Sequence, residues 1–146
     1  MTADVTALQE TLAGEHAAIY GYGVAGARLP GRAQQEALAA YDAHRARRDQ
    51  WRALIIAAGA QPVAAAPAYA LPFPVRGVTD ARRLAAHLER QLAAGYARLV
   101  AASTAGEREL AARSLQDAAV RAARWTGVAT PFPGLPVGPS PSPTAR

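Results

Sequence analysis

Apolar residues recur at steps of three and four along most of the chain, which is the period of an amphipathic helix. β-branched residues are sparse, and alanine, the strongest helix former, is frequent. Proline and glycine interrupt the pattern at three places. The sequence therefore predicts an all-α protein with four long helices, over residues 4–28, 33–58, 79–102 and 104–127.

The connections between these helices predict their arrangement. The first and last are short turns, but residues 60–78 form a long link whose four prolines exclude a regular helix. A link of this length can run along a bundle, so we expect the second and third helices to be parallel. Two antiparallel hairpins joined by a long proline-rich crossover have the connection pattern of a ferritin-like four-helix bundle. Alternating larger residues in the link indicate an extended segment laid on the helices: Tyr69, Leu71, Phe73 and Val75.

Local signals place the domain limits and the helix ends. Residues 1–130 are predicted to form the bundle, and residues 131–146, with six prolines, an extended or disordered tail that Phe132 and Leu135 anchor at its start. Two capping boxes are predicted, at Thr6–Gln9 and at Thr104–Glu107. Gly59 is placed to end the second helix in a left-handed conformation.

Composition narrows the function classes. The 146 residues include 39 alanines and no cysteine, which excludes disulfides, thiolate metal sites and a thiol nucleophile. All 16 basic residues are arginine, and the net charge is +5. This charge permits nucleic-acid binding, but no DNA-binding module or aromatic-interleaved basic motif accompanies it. No signal peptide or membrane-spanning apolar run is evident, so we expect a cytoplasmic protein without membrane contact.

An acidic residue interrupts the apolar stripe of the first helix. Glu15 shares one row with Val5, Leu8, Leu12, Ile19 and Tyr22. A carboxylate in a core stripe is costly unless it is paired, protonated or bound to a metal. Two interpretations stay open: Glu15 lies at the edge of the stripe or is satisfied by an arginine, or it belongs to an inward polar site.

The second and third helices carry further polar candidates. His44 shares a row with Trp51 and Ile55, with Tyr41 one turn earlier, and it can be either a structural core histidine or a ligand. We expect Glu15 and His44 to meet near the middle of the bundle. Glu89 lies beside the stripe of the third helix, which consists of Leu88, Leu92, Tyr96 and Leu99.

Arginines near these positions offer partners for the acids. Arg48 falls on the inward row of the second helix and could reach Glu15 or Asp117. The simpler expectation for Asp117 is a pair with Arg121, four residues later on the fourth helix.

Several segments together resemble a bacterial ferritin-like family of unknown function that is common in high-GC genomes. The resemblance covers nearly the whole chain except its tail, and it implies a four-helix ferritin-like fold without an established activity. The segments that carry it are Glu15–Val24 (EHAAIYGYGV), His44–Asp49 (HRARRD), Tyr69–Val75 (YALPFPV) and Ala118–Trp125 (AAVRAARW).

The wider ferritin-like superfamily can hold two metals between a Glu on each of two helices and a Glu-x-x-His on each of the other two. Glu15 and Glu89 match the single acids, and His44 matches one histidine, but Tyr41 stands where its partner acid belongs. The fourth helix has no histidine, and Glu-x-x-His occurs nowhere in the chain. Both bridging carboxylates are therefore missing, and we expect no di-iron oxidase and no cofactor.

These observations favour a non-catalytic helical module that acts through self-association or association with another protein. A homodimer is expected because an alanine-rich bundle buries little apolar area per residue. The alternative is a degenerate site around Glu15, His44 and Glu89, with Tyr41 nearby, that binds one Fe, Mn or Zn ion or a small ligand and could carry redox activity. Nucleic acid is the least favoured partner.

Overall fold

The computed structural model describes residues 4–135. This part of the chain contains four α-helices and no β-strand. The helix content predicted from the apolar period is therefore confirmed, with boundaries that differ by a few residues. The helices are α1 (Val5–Gly26), α2 (Gly31–Ala57), α3 (Val78–Ala102) and α4 (Ala105–Thr126).

The helix ends follow local backbone chemistry, with corrections at the starts of α1 and α4. At the start of α4, the Thr104 hydroxyl donates a hydrogen bond of 3.0 Å to the Glu107 carboxylate and does not cap a backbone N–H. Asp4, not Thr6, caps α1, because its carboxylate accepts a hydrogen bond of 2.9 Å from the Thr6 backbone N–H. The capping box predicted from Thr6 to Gln9 is therefore wrong, and the Gln9 side chain is used elsewhere. Gly59 and Gly127 follow α2 and α4 with φ of 79° and 75°, left-handed conformations that glycine adopts without strain.

Helix α1 packs against both α2 and α3. A four-residue turn, 27–30, joins α1 to α2 and makes them antiparallel neighbours. Leu92 packs against Gly14, whereas Leu88 packs against Gly21, so the residue number falls along α3 as it rises along α1. Helix α1 is therefore antiparallel to α3 as well.

Helix α4 packs against α3. The two-residue turn 103–104 reverses the chain. At the far end the Arg82 side chain, near the start of α3, donates a hydrogen bond of 3.4 Å to the Trp125 carbonyl, near the end of α4. The same guanidinium lies 5.4 Å from the centroid of the Trp125 ring. These contacts define α3 and α4 as an antiparallel pair.

The apolar core consists of two clusters at opposite ends of the helices. One lies around the start of α1 and the end of α2, and the other around the end of α1 and the start of α3. The largest members of the first are Leu8, Leu12, Trp51, Ile55, Leu92, Tyr96 and Leu99. The largest members of the second are Tyr22, Leu29, Val75, Leu84, Leu88 and Trp125.

The link between α2 and α3, residues 58–77, lies along α1. The Gln9 side chain accepts a hydrogen bond of 2.8 Å from the Val63 backbone N–H. About three turns further along α1, the centroid of the Tyr20 ring lies 5.7 Å from that of the Tyr69 ring. The link therefore advances in the same direction as α1 and is held to it at successive points.

The end of the link closes onto the second apolar cluster. Val75 is buried, Leu71 and Phe73 are half-buried, and all three pack against this cluster. The guanidinium of Arg83 lies 4.4 Å from the centroid of the Phe73 ring, covering its outer face. The alternating positions of the link thus supply apolar contacts without forming a strand.

The segment after α4 contacts the bundle in a different way from that expected. Phe132 and Leu135 are 72% and 58% exposed, so neither is a buried anchor. The close approach is made by Gly134, where an added Cβ would lie 2.5 Å from the Ala93 carbonyl oxygen. The part of the predicted tail from residue 136 to 146 lies outside the described residues.

None of the helices within residues 4–135 combines the length and apolar character required to cross a bilayer.

Candidate functional site

A buried polar cluster lies between the two apolar clusters. Its centre consists of Glu15 on α1, His44 on α2 and Glu89 on α3, with exposed fractions of 0%, 2% and 0%. The contact expected between Glu15 and His44 is present, and Glu89 also points inward. Three ionisable groups without solvent contact require internal partners, since burial of an unpaired charge is strongly unfavourable.

His44 bridges the two carboxylates. Its Nδ1 lies 2.9 Å from Glu15 Oε2, and its Nε2 lies 2.9 Å from Glu89 Oε1. Because both partners are carboxylate oxygens, a proton on each ring nitrogen satisfies both contacts, which is the imidazolium form. Burial lowers the pKa of His44, but the hydrogen bonds and charges of Glu15 and Glu89 outweigh burial and raise this pKa to about 9.

Glu15 has a complete set of partners. Beyond its bond to His44 through Oε2, its Oε1 accepts a hydrogen bond of 3.0 Å from the indole N–H of Trp51. The hydroxyl of Tyr96 donates to the same oxygen. Donors from α2 and α3 therefore surround the carboxylate, which explains how a charged group is accommodated in the middle of a core stripe.

Glu89 is only half satisfied. Its Oε1 accepts hydrogen bonds from His44 and, at 2.6 Å, from the hydroxyl of Tyr22. The indole N–H of Trp125 donates to the Tyr22 oxygen at 2.9 Å, which connects α4 to the cluster. Glu89 Oε2 is buried and has no hydrogen-bond partner among residues 4–135. This oxygen is the one polar atom of the cluster that the described protein leaves unpaired.

Both tyrosines of the cluster are held in the protonated form. Burial raises the pKa of Tyr22 well above its ordinary value, and the neighbouring carboxylate of Glu89 raises it further. Burial likewise raises the pKa of Tyr96, with Glu15 as the adjacent carboxylate. Each hydroxyl is thus a fixed donor toward a carboxylate.

A seven-residue step places the members of the cluster. Two helical turns separate Glu15 from Tyr22 on α1, and the same step leads from His44 to Trp51 on α2 and from Glu89 to Tyr96 on α3. Residues seven apart lie on the same face of a helix, so each inward face presents one ionisable group and one aromatic donor. The resulting set is Glu15, Tyr22, His44, Trp51, Glu89 and Tyr96, with Trp125 from α4.

The aromatic donors were not identified from the sequence. Tyr22, Trp51 and Tyr96 occur in predicted core stripes, where their apolar rings explain their burial without any polar role. The pattern of the fourth helix did not decide which of its sides faces inward, so Trp125 could not be assigned to the core. The detectable signal was an aromatic hydroxyl or indole N–H two turns away from an ionisable residue on the same helix face, since buried Tyr and Trp require acceptors.

Other predicted residues lie outside the cluster. Tyr41 is half-buried, its ring faces the Arg45 guanidinium at 5.7 Å, and no hydrogen bond among residues 4–135 joins it to Glu15 or His44. Arg48 does not reach an inward acid, because it pairs with its sequence neighbour Asp49 at 2.9 Å.

Asp117 also pairs differently from the expectation. Its partner is Arg47 on α2, at 2.9 Å, and not Arg121 on its own helix. The contact between two helices replaces the pair within one helix, because Arg47 lies on the side of α2 that faces α4.

The arrangement does not fit a two-metal centre. Each nitrogen of His44 already contacts a carboxylate oxygen, so neither presents a free lone pair to a metal. On α4, Ala118 is buried and no carboxylate or imidazole joins the cluster from that helix in the described residues. Within residues 4–135, no group of three or more His, Cys, Asp or Glu side chains has an arrangement suited to a metal ion.

Comparison with known proteins places the chain in a family. Residues 7–137 match the family described as "Domain of unknown function (DUF4439)", and the chain belongs to it. No curated protein matches the sequence. The fold is also similar to the crystal structure of a conserved hypothetical protein from Mycobacterium tuberculosis, with 38% sequence identity and a TM-score of 0.81. The match covers 84% of this chain and 93% of that one. The predicted resemblance to a bacterial family of unknown function is confirmed at this level.

Proposed function

We propose that this protein is a non-catalytic, ferritin-like helical module that acts through association of its outer surface. Within it, a buried hydrogen-bond cluster takes the position of the superfamily's metal centre. The ferritin-like connection is supported by the helix directions. Because α1 is antiparallel to both α2 and α3, these two helices run in the same direction. Residues 58–77 must then return the chain along the bundle, as their contacts with α1 indicate.

The non-catalytic role rests on one observation: both ring nitrogens of His44 are bonded to carboxylates. A general acid or base must reach a substrate, and a metal ligand must present a lone pair. His44 Nδ1 and Glu15 Oε2 are bonded to each other. Glu15 Oε1 accepts hydrogen bonds from Trp51 and Tyr96. The cluster therefore joins the helices and specifies how their inward faces are aligned.

The test is a comparison of metal content with stability. Protein purified without chelator is analysed for Fe, Mn and Zn, and its unfolding midpoint is measured before and after treatment with a chelator. The proposal expects substoichiometric metal and an unchanged midpoint, together with a large loss of stability in Glu15→Gln. The matched control is Glu10→Gln, which removes an exposed carboxylate from the same helix. Stoichiometric metal, with a midpoint that falls when the metal is removed, would contradict the proposal.

One feature favours a second candidate, a degenerate site for a single cation. Glu89 Oε2 is buried and unpaired, and a carboxylate oxygen is an effective ligand for Mn²⁺, Fe²⁺ or Zn²⁺. For such an ion, His44 would have to give up its bond to Glu89 and present Nε2 instead. Calorimetric titration of the apo-protein with each ion, compared with Glu89→Gln, tests this candidate. Saturable binding that the substitution abolishes would support it, and identical weak heats in both proteins would refute it.

A further inference from the structure

The outer face of α2 carries a regular stripe of exposed residues. Its positions follow steps of four, three, four, three and four residues, so the stripe lies within about 40° of one line on the helix surface. We refer to it as the α2 stripe, and it consists of Leu38, Asp42, Arg45, Asp49, Arg52 and Ile56.

The ends of the α2 stripe are apolar and its centre is charged. Leu38 and Ile56 are each 59% exposed, although their eighteen-residue separation places them on the same line about 27 Å apart. Large aliphatic side chains on the outside of a bundle stay in contact with water until a partner covers them. Two such residues do not by themselves define an interaction face, and the charged residues between them are what give the stripe its character.

The charged residues between Leu38 and Ile56 form only weak ion pairs within the chain. Asp42 and Arg45 are 3.6 Å apart with half or more of each side chain exposed, and such surface pairs contribute little to stability. Arg52 has no ion pair among residues 4–135. Asp49 pairs with Arg48 at 2.9 Å, and the charges of Arg52 and Arg45 on the same helix also act on it, but its side chain is 61% exposed.

The order of residues makes the α2 stripe complementary to itself. In an antiparallel pair of α2 helices centred at position 47, Leu38 faces Ile56 of the other copy. Asp42 faces Arg52, and Arg45 faces Asp49. Every position therefore meets a residue of matching character, with four opposite-charge pairs between two apolar contacts.

We infer that the partner of the α2 stripe is a second copy of this chain, packed antiparallel about a two-fold axis beside residue 47. This inference rests on the proposed association function and names its surface. A parallel pair at the same register would set Asp42 against Asp42 and Arg45 against Arg45, so like charges disfavour it. The antiparallel pair is isologous and closes as a dimer.

The expected dimer has a moderate affinity that depends on salt. A single pair of helices buries less surface than a standard interface of about 1,600 Å², so the dissociation constant should be micromolar. Its opposite-charge pairs are close to solvent, and salt screens such pairs. Raising the NaCl concentration from about 50 mM to about 500 mM is expected to weaken the dimer several-fold.

The first test is a charge exchange, measured by sedimentation equilibrium at about 1–100 µM protein in low salt. Asp42→Arg and Arg52→Asp, made singly, each create two like-charge contacts in the dimer and should weaken it at least tenfold. The double variant exchanges the charges and should restore the wild-type constant. Arg113→Glu, an exposed reversal on α4, is the control and should leave the constant unchanged, and circular dichroism verifies the helix content of all variants.

The second test uses the absence of cysteine from the chain. Leu38→Cys and Ile56→Cys are made separately, mixed and oxidised. The antiparallel register brings residue 38 of one chain beside residue 56 of the other, so the mixture should form a disulfide-linked heterodimer. Each variant alone should not, because like positions are about 27 Å apart, well beyond the reach of a disulfide.

The outcomes separate this inference from the proposed function. Restoration by charge exchange together with selective cross-linking supports the α2 stripe as the dimer interface. A dimer whose dissociation constant is unchanged by either charge reversal, and that forms no 38–56 cross-link, would overturn the inference and leave the association function in place. A monomer at 100 µM in low salt would overturn the inference and remove self-association from the proposed function.

Discussion

The stability of this protein should fall as pH rises from neutral to alkaline, and the cause is a single buried histidine. His44 is protonated in the folded chain because Glu15 and Glu89 accept from its two nitrogens. In the unfolded chain these contacts are lost, and the ordinary pKa of 6.5 returns. The folded state therefore retains a proton that the unfolded state releases over this pH range.

The size of this stabilisation follows from the difference between the pKa of His44 in the folded chain and in the unfolded chain. A rise from 6.5 to about 9 corresponds to about 3 kcal/mol of stabilisation. Because the pKa is raised in the folded state, this contribution is fully present below about pH 6.5 and is lost as pH rises through about 9. Between these limits the free energy of unfolding should decrease by about 1.4 kcal/mol per pH unit.

The assay is urea unfolding monitored by circular dichroism at half-unit steps from pH 6 to 10. A direct measurement accompanies it, the NMR titration of the His44 Cε1–H resonance, which does not depend on an unfolding experiment. Glu15→Gln should lower the histidine pKa and flatten the pH profile, whereas Glu10→Gln should preserve both. A wild-type profile without slope in this window, or a resonance that titrates near pH 6.5, would refute the proposed protonation state.

Two further predictions concern packing and pairing. Glu15→Gln and His44→Ala should each destabilise the protein by about 3–5 kcal/mol, because each leaves a buried partner unpaired. In a double-mutant cycle their effects should be less than additive by at least about 1 kcal/mol, and additive effects would show that the two residues act independently. Gly21→Ala places a Cβ 2.6 Å from Leu88 Cδ1 and should cost about 1–3 kcal/mol. The matched substitution Gly23→Ala meets no atom within 4 Å and should stabilise α1 by about 0.5–1 kcal/mol, so thermal midpoints that shift in the same direction would contradict the packing described here.

Helix α3 shows how far an apolar period carries a prediction. The stripe of the third helix was identified correctly at Leu88, Leu92, Tyr96 and Leu99, all of which are buried. Glu89 stood beside that stripe, and its inward orientation could not be decided from the period alone. A residue at the edge of a stripe turns inward only if a neighbouring helix supplies a partner, and here His44 supplies it from α2.

The pairing of charges was the least predictable feature. Spacing on one helix favoured Asp117 with Arg121, but the observed partner is Arg47, seventy residues away in sequence. Surface pairs within a helix are weak, so a small advantage in geometry between helices changes the partner. Sequence spacing contains no information about which helix faces which.

The amino-acid sequence by itself determined the four helices, the breaks between them and the presence of an acid and a histidine on inward rows. These features depend on backbone propensity and on a period of 3.6 residues, which are local properties. Only the tertiary structure decided that Glu15 and Glu89 share one imidazole and that three aromatic side chains donate to these carboxylates. It also decided that one oxygen of Glu89 is left without a partner among residues 4–135. A hydrogen bond depends on distances of a few tenths of an ångström between atoms from different helices, and packing of the complete bundle determines those distances.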